Sequence, residues 1–392
     1  MRIGVDASCW GNKRGFGRFT RELLTALLEL DQKNEYLFFV DRQLHDSVDF
    51  PKRVKKIAVE TRVSPIEAAS ADGQRSLRDI WAMSHGVWAH KIDIFFFPAV
   101  YTYFPILNRT KVVVTLHDMI ADRNTKLIFP NVRSKIFWKM KQNAAVRQAD
   151  RIATVSEYSK QQIMQYFDLP ESRMGIISEA ALPSFRVLPM TNGALYTLAR
   201  HGLSLNERFL LYVGGISPHK NLNTLIDAFG QIATSSDYGD LKLILVGDYK
   251  DDPFFSSYPF LMQQVAELGL EKRVVFTGFV SDHDLAYLYN AAAMVVLPSF
   301  EEGFGLPAVE AMACGTPVVA SSRGSLPEVL GMAGAFFDPT NTEDMAMTIL
   351  KVLTDDSCRE QMRQNGLARA GTFMWSKAAK DAMAIFSELA PA

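Results

Sequence analysis

Two glutamates, Glu302 and Glu310, are separated by seven residues and flank a glycine-rich turn. Gly303 and Gly305 would let an anionic ligand come close to the unpaired backbone N–H groups at the start of a helix, and we expect these N–H groups to extend from about Phe304 to Ala308. Carboxylates accept hydrogen bonds from vicinal hydroxyls, so a ligand that combines phosphates with hydroxyls suits this pair better than a bare phosphate does. The spacing suggests a nucleotide-sugar.

The elements around these glutamates are predicted to be a strand, a glycine loop, a helix and a second strand. Apolar runs at Met294–Leu297 and Pro317–Ala320 are typical of buried strands. Leu306–Cys314 is predicted to be helical, because a proline occupies its first turn and a glycine follows its end. The alternative is structural: Glu302 would be solvated, and Glu310 would only interact favourably with the helix dipole.

The segment EGFGLPAVEAMACGTPVVAS, with PEVL at residues 327–330, resembles the retaining glycosyltransferases of the GT-B fold, family 4. The resemblance implies that Glu302 lies by the donor sugar, that Glu310 lies by the ribose, and that the backbone near Val280 faces the base. It also implies two Rossmann-like, doubly wound α/β domains that face each other across a cleft, a metal-free reaction and retention of the anomeric configuration.

A lysine and a histidine are predicted at positions where they could contact a nucleotide-sugar donor. Lys220 precedes a helix predicted from about Asn221, so its charge and the positive helix end suit a diphosphate. His117 and Asp118 follow the predicted strand Val112–Leu116, and ligands of parallel sheets bind beyond the carboxyl ends of strands. A lone histidine is more often structural, but the resemblance implies that His117 contacts the donor sugar near its reacting centre.

Two glycine-containing loops, one before Lys220 and one at Gly15–Gly17, differ from known ligand-binding patterns. Many relatives place an arginine where Gly215 or Ile216 stands, so in this chain those positions offer no second cationic phosphate contact. The first glycine loop, Gly15–Gly17, with Asp41 at the end of the next strand, is similar to a dinucleotide fingerprint without its third glycine. A nicotinamide-dependent oxidoreductase is therefore one alternative, but it leaves Glu302, Glu310 and Lys220 unexplained.

The implied site residues fall into three groups. Those implied to be catalytic are His117, Lys220 and Glu302. Those implied to bind the donor are Gly17, Gly215, Lys220, Val280, Glu302, Gly303, Phe304, Gly305, Leu306 and Glu310. Those implied to lie on the acceptor side are Arg18, Asp118 and Ser156, although Ser156 also fits a helix N-cap. A catalytically inactive binding subunit is a further alternative, against which this full set argues.

No cofactor or metal is predicted. Asp282-His283-Asp284 matches a D-x-D metal motif, but it precedes a helix predicted at Leu285–Ala292, where aspartates act as caps and dipole partners. Cys9, Cys314 and Cys358 form no C-x-x-C pair, so neither a zinc site nor a disulfide framework is indicated.

The bulk properties predict two domains. The 392 residues are 48% apolar, enough for two cores. Residues 1–190 hold 28 Lys and Arg against 20 Asp and Glu, whereas residues 191–392 hold 14 against 23. We expect an acceptor-side domain at residues 1–185, a linker at Pro183–Gly193 and a donor domain at 194–372. Residues 373–392 are expected to form a helix that crosses back to the first domain.

The basic half suggests an anionic partner. Eight Lys or Arg and one acid lie between Arg123 and Arg151, interleaved with Phe129, Ile136, Phe137 and Trp138. Such a helix can bind an anionic membrane, which would suit a glycan or lipid-linked sugar acceptor. The alternative is a solvated basic face whose aromatic residues fill the core. We expect a cytoplasmic protein, peripheral on the inner face of the membrane in the first case, that binds no nucleic acid.

Overall fold

The computed structural model describes residues 1–12, 15–64, 76–123, 131–189, 192–204, 207–249 and 256–390. The chain divides into two compact units. The first comprises Met1–Glu179 and Met374–Ala392, and the second comprises Ala180–Phe373.

The first unit is built on a parallel sheet of seven described strands in the order β3-β2-β1-β4-β5-β6-β7. The strands are β1 (Arg2–Asp6), β2 (Glu35–Asp41), β3 (Lys55–Val59), β4 (Ile94–Phe97), β5 (Lys111–Thr115), β6 (Arg151–Thr154) and β7 (Met174–Ile176). The helices are α1 (Gly15–Leu30), α2 (Arg42–Ser47), α3 (Leu77–Trp88), α4 (Ile120–Arg123), α5 (Val132–Gln148) and α6 (Glu157–Phe167).

Helices cover both faces of this sheet, as its nearly continuous apolar strands require. On one face, Phe95 and Phe97 of β4 belong to the same buried cluster as Val87 of α3 and Val146 of α5. On the other face, Phe96 packs against Phe386 of the last helix, with ring centroids 5.3 Å apart. Alternation of side chains along β4 therefore decides which helices each residue meets.

The second unit holds a parallel sheet of six described strands in the order β10-β9-β8-β11-β12-β13. They are β8 (Phe209–Val213), β9 (Lys242–Val246), β10 (Val274–Gly278), β11 (Met294–Leu297), β12 (Val318–Ser321) and β13 (Gly334–Phe337). Its helices are α7 (Asn192–Arg200), α8 (Leu222–Ala233), α9 (Tyr258–Glu267), α10 (Asp282–Ala291), α11 (Leu306–Ala313), α12 (Leu326–Leu330), α13 (Thr342–Thr354) and α14 (Asp356–Ala370). The last helix, α15 (Trp375–Glu388), returns to the first unit and packs along α1.

The fold corrects two local predictions. The first glycine loop is shorter than expected, since α1 already begins at Gly15 and places Gly17 and Arg18 in its first turn. The predicted linker is partly an ordered piece of the second unit, because Asn290 accepts a hydrogen bond from Leu188 N and donates one to Arg186 O.

Within the described ranges, no helix combines the length and the apolar character that crossing a bilayer requires.

Candidate functional site

The candidate donor site lies on the two loops that follow β8 and β11. These central strands are neighbours, and successive connections leave them in opposite directions along the sheet. Ligands of open α/β sheets bind at such a switch point, beyond the carboxyl ends of the strands. Two hydrogen bonds join the loops: Phe300 N donates to His219 O at 3.0 Å, and Asn221 Nδ2 donates to Pro298 O at 3.0 Å.

The central contact of the site is an ion pair between Lys220 and Glu302. Lys220 Nζ lies 2.7 Å from Oε1 and 2.9 Å from Oε2 of Glu302, and the two side chains are only 18% and 15% exposed. Ser299 Oγ donates a third hydrogen bond to Oε1 at 2.6 Å. Burial raises the pKa of the Glu302 carboxyl, but the charge and hydrogen bonds of Lys220 and the hydrogen bond from Ser299 outweigh it, so the pKa lies below its usual value. At neutral pH the site therefore holds a lysine cation paired with a carboxylate.

His219, next to Lys220 in the chain, stays neutral at neutral pH. Burial, with the positive charge of Lys220 as a second cause, lowers the pKa of its imidazole to about 3. Its Nδ1 lies 3.1 Å from Ser217 Oγ. Lys220 is thus the residue of this turn that brings positive charge to the site.

The turn that holds Glu302 is fixed from the side of β12. Ser325 Oγ and N both donate to Glu302 O, at 3.0 and 3.2 Å. Gly324 approaches so closely that a Cβ there would lie 2.7 Å from Glu302 N. Gly305 ends the turn in the left-handed region, at a φ of 93° that favours glycine. These contacts give Glu302 a defined position before any ligand binds.

Glu310 lies on α11 and is 2% exposed. Tyr289, on α10, donates its hydroxyl to Glu310 Oε2 at 2.9 Å. Tyr289 is itself buried, and its backbone oxygen accepts a hydrogen bond of 2.6 Å from Thr316 Oγ1. A tyrosine that lies 21 residues away in sequence therefore orients the second glutamate.

The predicted amide cradle at the start of α11 is narrower than expected. Ala308 N donates to Gly305 O at 2.8 Å, and Pro307 has no N–H. Phe304, Gly305 and Leu306 remain as candidate donors to an anion. The prediction of a cradle that extends to Ala308 was wrong because the first turn of the helix already uses that amide.

The other residues predicted to face the donor lie on neighbouring turns of the second unit. Gly215 O accepts a hydrogen bond from Tyr212 at 2.7 Å, and a Cβ on Gly215 would find only Ser217 Oγ, 4.0 Å away. That leaves room for a ligand beside the backbone. Val280 is 6% exposed and follows β10, while Gly303 lies in the same turn as Glu302.

His117 lies in the first unit, just beyond β5. Its Nε2 must donate to Pro98 O at 3.0 Å, because a carbonyl oxygen only accepts. Its Nδ1 then faces Glu179 Oε1 at 3.6 Å, and both side chains are largely buried. Sequence reasoning missed Glu179, which stands 62 residues away with no local motif to mark it.

The remaining residues predicted in the first unit have structural contacts of their own. Ser156 is the N-cap of α6 and accepts a hydrogen bond from Ser159 N at 3.0 Å. Asp118 accepts a hydrogen bond from Ile120 N at 2.9 Å. A Cβ on Gly17 would lie 2.1 Å from Asn12 O, so only glycine fits there. Arg18 lies on the same turn of α1 and is half-buried.

Two aspartates that suggested an oxidoreductase or a metal site make contacts within the protein instead. Asp41, the candidate ribose ligand of an oxidoreductase, accepts hydrogen bonds from Leu44 N and Ser64 Oγ at the start of α2. Asp284, from the D-x-D sequence, binds Arg200 at 2.6 Å and lies 3.2 Å from His283 Nδ1. Both interactions match structural roles.

The D-x-D sequence also corrects a prediction about capping. Helix α10 begins at Asp282, so the N-cap is Ser281, whose side chain accepts from Asp284 N, and neither aspartate is the cap. In the part of the chain that the structure describes, no three His, Cys, Asp or Glu side chains are grouped so as to hold a metal ion.

Comparison with known proteins gives two family matches. Residues 14–180 match the model described as glycosyltransferase family 4, and residues 197–369 match the model described as glycosyl transferases group 1. Each match falls largely within one of the two units, and together the matches span most of the chain.

The curated relatives include two mannosyltransferases from Escherichia coli. One is the serotype-specific mannosyltransferase WbdA, 31% identical over 71% of this chain and 34% of the relative. The other is the O-antigen chain mannosyltransferase B, 38% identical over 58% of each protein. The chain thus spans about a third of the length of the first relative and 58% of the second.

Among solved structures, the sucrose-phosphate synthase from Thermosynechococcus elongatus matches with a TM-score of 0.78, covers 99% of both chains and is 20% identical. At that identity the likeness establishes the fold, two Rossmann-like parallel-sheet domains of the GT-B type. With the two family matches, it follows that this chain belongs to the family 4, or group 1, glycosyltransferases.

Proposed function

We propose that the chain transfers a hexosyl group from a nucleotide-sugar to a glycan or lipid-linked sugar, with retention of the anomeric configuration. The observation that supports this best is the largely buried Lys220–Glu302 pair, because it places a cation and a carboxylate at the turn that leads into α11. The lysine cation and the helix amides can bind a diphosphate, and the carboxylate can accept hydrogen bonds from sugar hydroxyls.

In the proposed reaction, the bond between the anomeric carbon and the diphosphate oxygen breaks, and its electron pair leaves with the nucleoside diphosphate. The acceptor hydroxyl oxygen bonds to the same carbon, and its proton passes to the departing phosphate. Lys220 offsets the charge that grows on the diphosphate, together with the amides of residues 304–306. Charge stabilisation of this kind is often the largest contribution that an enzyme makes to the rate.

The glutamates have separate tasks in this proposal. Glu302 accepts hydrogen bonds from the hydroxyls of the donor sugar, and Ser299 holds it in place when Lys220 turns to the diphosphate. Glu310 accepts from the ribose hydroxyls while Tyr289 fixes its orientation. In the first unit, His117 is proposed to contact the donor sugar, with Pro98 O and Glu179 setting the orientation of its ring.

The relatives bear on the identity of the sugar. Both Escherichia coli relatives are named as mannosyltransferases, so we propose a mannosyl donor first and a UDP-hexose second. The cytoplasmic location stays a prediction.

Transfer is expected to proceed fully in EDTA. Lys220 and helix amides provide the charge that a divalent ion supplies to a diphosphate in other enzymes, and Asp284 is already bound to Arg200. The test measures nucleoside diphosphate release from GDP-mannose and UDP-hexoses in the presence of a lipid-linked glycan extract. The assay contains about 5 mM EDTA, an excess over the divalent ions in the sample. NMR of the product would report the anomeric configuration.

Adding magnesium or manganese to the chelated enzyme provides the control. Turnover that disappears in EDTA and returns with either ion would contradict metal independence and redirect attention to Asp282 and Asp284. An inverted product would contradict the retaining mechanism.

A further inference from the structure

Two helices of the first unit expose large apolar side chains to solvent. On α5 these are Val132 (71% exposed), Ile136 (52%), Phe137 (56%) and Met140 (63%). Positions 132, 136 and 140 are one helical turn apart, so these side chains share one face of α5. The alternative that the aromatic residues of this segment fill the core thus holds only in part: Trp138 packs partly against the core, whereas Phe137 does not. Lys126 and Phe129 lie outside the described residues.

Helix α3 has a similar outward face. Leu77 is 85%, Trp81 60% and Trp88 55% exposed, and His85 stacks on Trp81 with ring centroids 4.9 Å apart. Exposed tryptophans are uncommon on a surface that only water contacts, and they are favoured where one end of the side chain is apolar and the other wet.

The two faces lie on the same side of the sheet. Met83 and Val87 of α3 are buried in one cluster with Ala145 and Val146 of α5. Both helices therefore cover the same face of the seven-stranded sheet, and their opposite faces point away from it. We call the outward residues of α3 and α5 the α3–α5 face, comprising Leu77, Trp81, His85, Trp88, Val132, Arg133, Ile136, Phe137, Met140 and Arg147.

The charge of this surface has one sign. The sequence of α5 contains five Lys or Arg and no Asp or Glu. In α3 the one acid, Asp79, is 1% exposed and accepts a hydrogen bond from Arg62 N. Arg133 lies over the ring of Phe137, 5.6 Å from its centroid, so cationic and apolar groups are interleaved. Neither helix presents a carboxylate at its outward face.

We propose that the α3–α5 face docks on an anionic lipid bilayer, with Phe137, Ile136 and Met140 entering the interface and the tryptophans of α3 at headgroup level. Interleaved apolar and cationic side chains match the boundary between acyl chains and anionic headgroups. A second copy of the chain is a poorer occupant, since a symmetric contact would bring two positive faces together. The inference does not depend on the proposed reaction, because lipid binding is measured without a sugar donor.

The test is co-sedimentation of the full chain with vesicles of phosphatidylglycerol and phosphatidylcholine, compared with phosphatidylcholine alone. We expect binding to the anionic vesicles only, weaker at high salt because exposed charges are screened. Phe137→Ser and Trp81→Ser should each lower the partition coefficient about tenfold or more, as expected for losing a buried aromatic side chain. Arg147→Ser should weaken binding mainly at low salt.

Phe260→Ser is the matched control, because Phe260 is a 63% exposed phenylalanine on a helix of the second unit. It should bind vesicles as the wild type does. Three results would overturn the proposal: no binding to anionic vesicles, equal binding to neutral ones, or equal losses in Phe260→Ser and Phe137→Ser. Lipid-free self-association that Phe137→Ser abolishes would assign the face to a second copy instead. If Phe137→Ser does not fold, the salt dependence and Arg147→Ser still decide.

Discussion

Replacing Lys220 by alanine is expected to lower kcat on the order of a hundredfold or more, as when a group that stabilises transition-state charge is removed. Lys220 is the cation hydrogen-bonded to Glu302, at 2.7 and 2.9 Å, and its neighbour His219 is neutral at neutral pH. The measurement is kcat and KM for nucleotide-sugar turnover. Since the interaction strengthens as the diphosphate leaves, kcat should fall more than the affinity for the donor does.

The substitution also leaves Glu302 buried without its cation, which costs about 3–5 kcal/mol in comparable pairs, so activity and stability must be separated. The double variant Lys220→Ala with Glu302→Gln removes that unpaired charge. Its melting temperature should return towards the wild-type value while its activity stays low. Lys242→Ala is the matched control, because Lys242 is also about one-fifth exposed and pairs with Glu207 at 2.8 Å. Full activity in Lys220→Ala would mean that another cation neutralises the phosphate.

Replacing Glu310 by alanine is expected to weaken binding of the nucleoside diphosphate by about 1–3 kcal/mol, or roughly 5- to 150-fold, through lost hydrogen bonds to the ribose. Glu310 is 2% exposed, so its carboxylate has a fixed place in α11. Titration calorimetry with the nucleoside diphosphate measures the effect directly, without any contribution from sugar or acceptor.

Tyr289→Phe provides the graded control for Glu310→Ala. It keeps the ring that packs against Phe185, with centroids 5.6 Å apart, but it removes the hydroxyl that orients Glu310. We expect a smaller loss of affinity than in Glu310→Ala, because the carboxylate remains but is free to turn. A dissociation constant that is unchanged in Glu310→Ala would remove Glu310 from the site.

The strands that position the site were predictable because buried parallel strands are short apolar runs. Met294–Leu297 appears in the structure with the predicted bounds, and the strands predicted at Val112–Leu116 and Pro317–Ala320 are each shifted by one residue. The exposed edge strand β3 was not predicted, since its sequence KKIAV offers little apolar density. Helix α14 was also missed, because most of its residues are polar and only a few are buried. The periodicity of apolar residues predicts a helix or strand through its buried face, so elements with few buried residues are not predicted.

The residues of the candidate site also fall into those that a sequence pattern predicted and those that it did not. Glu302 and Glu310 stand out because they flank a glycine turn at a fixed spacing, and Lys220 because it precedes a helix. Ser299 and Tyr289, which hold the glutamates, and Glu179, which faces His117, have no such local pattern. Their roles follow from contacts between elements that only the folded chain brings together.

The central claim is that Lys220, Glu302 and Glu310 of the second unit hold a nucleotide-sugar. The most direct test is titration calorimetry of the wild-type chain and the Lys220→Ala, Glu310→Ala double variant with UDP-, GDP- and ADP-sugars and with NADH. We predict that one nucleotide-sugar binds the wild type with one-to-one stoichiometry and that NADH gives no heat. The double variant should bind that nucleotide-sugar about tenfold more weakly or worse, because it has lost two charged contacts to the ligand. Equal affinity in wild type and double variant, or binding of NADH in place of every nucleotide-sugar, would contradict the account.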